Sequence, residues 1–225
     1  MIDLCARATD PEELDLGVEP EEARRSLADL RFVNRWLGNS GPFVEAVLPF
    51  LRASPSPRIL DVGCGSGDVP VLLRRALGGR VAAVAVDIKL LHLQAAPAEL
   101  LRVVADARAL PFGEGAFDVV TASLFLHHFD EPELPALLRS LYALARRALI
   151  VNDLRRARVP YLFGKAVFPV LFRSRVSVED GLISIRRSFR EPELHAAFAA
   201  AGIPGLRIAR HWPYRLLAVA EKPPA

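Results

Sequence analysis

Ile59-Leu60-Asp61-Val62-Gly63-Cys64-Gly65-Ser66-Gly67 decides the fold, because an apolar strand runs straight into a glycine-rich turn ahead of a helix. Glycine is needed where the backbone turns tightly and approaches a ligand, since a β-carbon would obstruct both. The alternative is a tight strand-to-helix turn with no ligand. Working outward, short apolar runs recur at 58–62, 81–86, 101–104, 117–122 and 148–151, separated by helical or turn-rich segments at 69–77, 90–96 and 131–147. That alternation predicts buried parallel strands joined by crossover helices, a Rossmann-like doubly wound α/β sheet. A last helix over 191–201 and two runs at 206–212 and 215–220 predict a closing antiparallel pair, so the sheet is mostly parallel with an antiparallel C-terminal strand.

Upstream, Pro20 opens a helix carrying Leu27, Leu30, Val33, Trp36 and Leu37 at helical spacing, which Gly38 ends. Ser40 and Pro42 restart a second helix carrying Phe43, Val44, Val47, Leu48 and Leu51, stopped by Pro55 and Pro57. Residues 1–16 read as an acidic, frayed leader. With 225 residues, 52% of them hydrophobic, the chain is expected to build one core with embellishments. Its parts are the leader and cap helices (1–56), the core (57–153), a lid insertion (154–190), and the last helix with the closing strands (191–225).

Spacing discriminates between ligands for the glycine turn. A dinucleotide fingerprint counted from Gly63 requires glycine where Asp68 stands. A carboxylate at a helix start repels pyrophosphate but accepts a cationic or zwitterionic ligand. A nicotinamide oxidoreductase on the same topology is therefore the weaker reading. Asp61-Val62-Gly63-Cys64-Gly65-Ser66-Gly67 resembles motif I of class I S-adenosylmethionine-dependent methyltransferases, particularly the small-molecule group typified by quinone-biosynthesis enzymes. The resemblance spans about Arg58 to Asp153 and extends weakly to the C-terminal strands. It implies that Asp61, Gly63, Cys64, Gly65 and Gly67 hold the methionine and ribose portions of S-adenosylmethionine.

Asp87, with Ile88 beside it, closes the second strand about 20 residues past the turn, where a carboxylate suits a ribose diol. The same residue suits a helix cap at Lys89, and the two roles can coexist. Val103 to Phe112 resembles the family's adenine-binding stretch, which assigns Asp106 to the adenine amino group and the Ala107 backbone to the ring edge. Alone, an Asp after a strand is a turn residue. Phe117 to Phe129 resembles the fourth-strand motif, so Ser123, Leu124 and the residues up to His128 are expected to face the methyl donor. The Asn/Asp-Pro-Pro-Tyr/Phe pattern of base methyltransferases is absent there, and Ser123-Leu124-Phe125-Leu126 stands instead.

Methyl transfer from a sulfonium is an in-line displacement, for which orientation supplies about 7 to 11 kcal/mol. A phenolic acceptor also gains from a base. His127, His128 and His211 are the candidates, with Asn152 and Asp153 at the end of the fifth strand in the same cleft. Packing or capping ahead of the next helix is the competing role for the His127–His128 pair. The product would be S-adenosylhomocysteine, and O-methylation is expected ahead of C-methylation. A donor-binding protein without turnover is the rival outside catalysis.

The insertion carries Tyr161, Phe163, Phe168 and Phe172 between arginine-rich flanks. It suits a roof for a greasy aromatic, quinone-like or polyketide-like acceptor, peripheral contact with an anionic membrane surface, or plain packing on the core. Net charge is +3 with no long basic run, so nucleic acid is not an expected partner. Two cysteines, Cys5 and Cys64, make no disulfide framework or metal pair. The acidic start is unlike a signal peptide, and 159–172 is too short and too interrupted to span a bilayer, so a cytoplasmic protein is expected.

Overall fold

The computed structural model describes residues 4–36 and 40–223. In chain order the helices and strands are α1 (Glu13–Leu16), α2 (Pro20–Trp36), α3 (Gly41–Arg52), β1 (Arg58–Val62), α4 (Asp68–Ala76), β2 (Ala82–Asp87), α5 (Leu90–Ala95), β3 (Leu101–Val104), β4 (Phe117–Ser123), α6 (Leu134–Leu144), β5 (Ala145–Leu154), α7 (Arg158–Leu171), α8 (Arg175–Arg187), α9 (Glu191–Ala200), β6 (Leu206–His211) and β7 (Arg215–Glu221). The expected helix stop at Leu37 and Gly38 lies outside the described residues.

The strands form one seven-stranded sheet in the order β3-β2-β1-β4-β5-β7-β6. β1 pairs in parallel with β2 on one side and β4 on the other, and only β7 runs antiparallel to its neighbours. Because the chain winds from β1 toward β3 and then returns to β4, a crevice opens beyond the carboxyl ends of β1 and β4, where open α/β sheets bind ligands. One face of the sheet is covered by α6 and α9 through Phe117, Leu138, Leu141 and Phe198. The other is covered by α3, α4 and α5 through Phe43, Val47, Leu51, Leu73 and Leu93. Each such side chain contributes about 1.5–3 kcal/mol by leaving water.

Three expectations change. The fifth strand, expected over 148–151, runs from Ala145 to Leu154, because β4 pairs with its start (Phe117↔Ala145) and β7 pairs on to its end (Leu154↔Arg215). The preceding helix is correspondingly shorter, since Ala145 already has an extended backbone, with ψ 137°. From Leu4 onward the leader is not frayed. Asp180 of α8 accepts hydrogen bonds from the amides of Glu13 (2.7 Å) and Leu14 (3.0 Å), and buried Arg156 donates to the carbonyls of Leu4 (3.0 Å) and Cys5 (3.2 Å). Residues 4–16 thus form a strap across the lid, tied by partners some 150 positions away in sequence.

The lid itself is two helices. Ser174 caps α8 by accepting from the Ser177 amide, and Asp29 of α2 accepts from the amides of Arg173 (3.0 Å) and Ser174 (2.9 Å), which locks the N-terminal helix to the lid. No helix among the described residues is long and apolar enough to cross a membrane.

Candidate active site

A cavity of about 450 Å³ opens at the switch point, within the range of small-molecule sites. Its floor is the glycine turn. Gly63 (φ 66°), Gly65 (φ 52°) and Gly67 (φ 76°) all adopt the left-handed backbone that glycine takes without penalty. At Gly63 the requirement is doubled, because a β-carbon would lie 2.0 Å from the Phe125 ring. Phe125 is aimed there by Leu124, a non-glycine residue at φ 54° whose amide donates to Asn152 O at 2.7 Å. The Gly65 amide donates to Asp87 Oδ2 at 3.0 Å, coupling the turn to β2.

Three carboxylates surround this turn. Asp61, at the centre of β1 and nearly fully buried, accepts from the Thr121 hydroxyl of β4 at 2.7 Å. Burial pushes its pKa up to about 7, opposed by the Thr121 hydrogen bond and reinforced by the charges of Asp68 and Asp87. Asp87 Oδ1 accepts from the Lys89 amide at 2.9 Å and faces His92 Nδ1 at 3.2 Å, so the expected turn-capping bond is present. Burial also pushes the Cys64 thiol up, against any nucleophilic role for it. A region this rich in buried carboxylate favours a cation, and an incoming diphosphate would meet Asp68 at the start of α4.

Ile88, Asp106, Ala107, Ser123 and Leu124 all line the cavity. Asp106 is half exposed and its carboxylate is already engaged by Arg108, whose guanidinium donates at 2.7 Å and whose amide donates at 2.9 Å. Those bonds hold its pKa below the usual carboxylate range. An adenine amino group would therefore share Asp106 with Arg108.

The far end of the cavity is built around a short 3-10 turn, Leu126–His128. His127 is buried, with Nδ1 2.6 Å from Asp153 Oδ1 and Nε2 3.4 Å from Glu12 Oε1. Burial disfavours its charge, but Asp153 and Glu12 outweigh that and hold its proton up to about pH 10. His128 stacks on His127 with ring centroids 4.5 Å apart, and its Nδ1 lies 2.6 Å from Asp15 Oδ2. Arg187 fixes the turn by donating to the carbonyls of His127 (2.9 Å) and His128 (2.8 Å), and Arg7 donates to Phe129 O at 3.0 Å. His211 is placed differently. It sits on β6 against Asn152 Oδ1 at 2.8 Å, and burial lowers its pKa.

Sequence reasoning missed Glu12 and Asp15, which the strap delivers, and Arg215 at the start of β7. Arg215 is buried and lines the cavity, yet its Nε and Nη1 have no hydrogen-bond partner among the described residues. Burial lowers its pKa to about 10, with Asp153 opposing. An unpartnered arginine carries no sequence signature. The acidic count of the leader was visible, but not its destination. From the lid, Phe168 and Phe172 reach the cavity, whereas Phe163 points to solvent and Tyr161 is buried outside it.

Comparison with known proteins agrees with this geometry. Residues 59–148, from β1 into β5, match the methyltransferase-domain family. That stretch, two fifths of the chain, is similar to methyltransferase domains. The chain is 33% identical over 100 residues to the ubiquinone/menaquinone biosynthesis C-methyltransferase UbiE of Xanthomonas oryzae, covering 40% of this chain and 39% of that protein. It is 30% identical over 122 residues to the 2-phytyl-1,4-naphtoquinone methyltransferase of Synechococcus elongatus, covering 49% of this chain and 51% of that one. The match thus spans between about two fifths and half the length of these relatives. A solved methyltransferase of Aquifex aeolicus shares the fold at TM-score 0.62 and 16% identity, covering 91% of this chain and 99% of the other. The matched stretch runs from β1 to the start of β5, and the strap, cap helices, lid and closing strands lie outside it.

Proposed function

We propose that the protein transfers a methyl group from S-adenosylmethionine to a small acceptor that is aromatic, quinone-like or polyketide-like, with oxygen favoured over carbon as the methylated atom. The observation that carries the reading is the set of three carboxylates, Asp61, Asp68 and Asp87, around a left-handed glycine turn inside the stretch similar to methyltransferase domains. Such a set fits a ligand bearing a sulfonium and an ammonium and opposes a dinucleotide. When bound, S-adenosylmethionine supplies an electrophilic methyl group.

The chain's own residues divide the remaining work. Asp61 and the turn hold the amino-acid portion, Asp87 takes the ribose, and Asp106 with Ala107 addresses the base. Phe125, Phe168 and Phe172 give the cavity apolar walls that exclude water and suit a greasy acceptor. Arg215, with two unpartnered nitrogens, suits an acceptor bearing an anionic or oxygen-rich group. His127 and His128 line the cavity and are assigned the orientation of an acceptor oxygen, while Asp153, fully buried and outside the lining, fixes His127 from behind. The quinone-related names of the relatives point to the same acceptor class.

Calorimetry tests the donor. S-adenosylhomocysteine is expected to bind one per chain while NAD and NADP give no heat, and Asp87→Ala is expected to weaken binding about 10- to 100-fold through lost charged hydrogen bonds. Heat with NAD and none with the sulfonium nucleoside or its product would sink the reading. Turnover of labelled donor against a panel of phenols and quinols separates an enzyme from a binding protein. The outer side of α7 also exposes Val159, Leu162, Phe163 and Val170 beside Arg158 and Lys165, which suits peripheral contact with anionic lipid. Flotation with anionic vesicles, lost on Phe163→Glu, is the expected result, and no flotation removes that contact.

A further inference from the structure

We propose that Glu12, His127 and His128 bind one divalent first-row transition-metal ion at the acceptor end of the cavity, leaving a position open to an acceptor oxygen. The ion's binding stands on these side chains alone, while its use in catalysis rests on the methyl-transfer reading above.

The two imidazoles are prepared as ligands in the same way. Nδ1 of His127 lies 2.6 Å from Asp153 Oδ1, and Nδ1 of His128 lies 2.6 Å from Asp15 Oδ2. A histidine whose Nδ1–H donates to a carboxylate is fixed in orientation for ligation through Nε2, the arrangement that accompanies metal-ligating histidines, and at His127 the ion takes the place of the Nε2 proton held toward Glu12. Both Nε2 atoms then meet one carboxylate, at 3.4 Å from Glu12 Oε1 and 3.8 Å from Oε2. One ligand atom from each of the three residues lies within 4.8 Å of the other two. Around a four-coordinate ion with ligands at about 2.0–2.1 Å, neighbouring ligand atoms are about 3.4 Å apart. A contraction of about 1.4 Å at most closes the site.

Its surroundings point the same way. Arg187 and Arg7 clamp the carbonyls of His127, His128 and Phe129, so the two rings are held as a rigid stacked pair. Glu12 is buried and arrives on the strap, bonded also to Ser184 of α8. Two imidazoles and one carboxylate suit zinc, iron, cobalt or nickel better than magnesium or calcium, which prefer all-oxygen sites. Three protein ligands with the remaining coordination directed at a cavity is the pattern of catalytic rather than structural metal sites. All three residues line the cavity that holds the glycine turn.

There the ion would acidify a ligating hydroxyl of the acceptor, as metals do for bound water. The O–H proton leaves to solvent. The oxygen keeps the electron pair that forms the O–C bond while the S–C bond of the donor breaks, and the sulfonium becomes a neutral thioether.

The test uses the full-length, untagged, chelator-stripped chain titrated with Co2+ and then Zn2+, reading cobalt d–d absorption and metal per chain. One Co2+ per chain, displaced by Zn2+, is expected. Glu12→Gln and His128→Ala should each weaken Co2+ binding at least tenfold, and Asp15→Asn by a smaller factor. Glu12→Gln is isosteric, so it carries the test alone if circular dichroism shows the alanine variant unfolded. Substoichiometric cobalt, or equal binding by wild type and variants, overturns the site. S-adenosylhomocysteine calorimetry on the same sample separates the two readings. Nucleoside heat without cobalt removes the metal and leaves the donor, and cobalt without nucleoside heat does the reverse.

Discussion

The two ends of the cavity are assembled by different means. At the glycine-turn end, Asp61, Gly63, Gly65, Gly67 and Asp87 lie within one strand-turn-helix-strand segment, and local backbone geometry places them. At the histidine end, Glu12 and Asp15 come from the strap, His127 and His128 from the turn after β4, Asp153 from β5 and Arg215 from β7. The first end depends on what each residue is. The second depends on hydrogen bonds between segments more than a hundred positions apart, such as Arg7 to Phe129. A domain shared with relatives can keep the first while the flanking strap and lid redefine the second.

Gly63→Ala should produce the largest effect, because it combines a left-handed φ with a collision against Phe125. About 2–4 kcal/mol of folding stability is expected to be lost, read by urea denaturation. Phe125→Ala in the same chain should recover the collision part and leave the backbone part. If the double variant is no more stable than Gly63→Ala alone, Phe125 is not what constrains the turn.

The same contrast explains what could be read from the sequence. Short apolar runs alternating with helical segments gave the strands of the core, because buried parallel strands are continuous apolar stretches. The glycine turn was legible in a similar way, since glycines between a strand and a helix declare a backbone requirement. The strap was not. Five acidic residues in 1–16 look like solvated surface until Asp180, Arg156 and Arg187 are seen to receive that segment. Nor could sequence show that Asp153 fixes His127, because strand register, not spacing, sets that pair. The start of β5 was misjudged because Arg146 and Arg147 interrupt its apolar run, although Ala145 already pairs with Phe117 of β4.

A smaller effect comes from pH and belongs to the donor end. Asp61 has its folded pKa raised from 3.8 to about 7, so between those values the native state holds more protons than the unfolded chain. Stability from this group is therefore present at low pH and lost as pH rises through 7. Affinity for a cationic nucleoside should run the other way, rising about tenfold from pH 6 to 8 as the carboxylate ionises. Asp61→Asn should flatten both slopes. Parallel slopes for stability and affinity would show that Asp61 does not face the ligand's charge.

The smallest effect on binding should come from loosening the strap, and its smallness is the informative part. Asp180→Asn keeps the size of the side chain but weakens the charged hydrogen bonds to the amides of Glu13 and Leu14, worth about 1.5–3 kcal/mol together with the charge. Hydrogen exchange at residues 12–16 should then accelerate about tenfold or more, since local opening no longer breaks those bonds. Affinity for S-adenosylhomocysteine should change less than twofold, because the nucleoside's expected partners, Asp61 and Asp87, are fixed by β1 and β2. If loosening the strap weakens the nucleoside as strongly as Asp87→Ala does, the two ends form one cooperative unit, and the strap closes over the donor as well as over the acceptor.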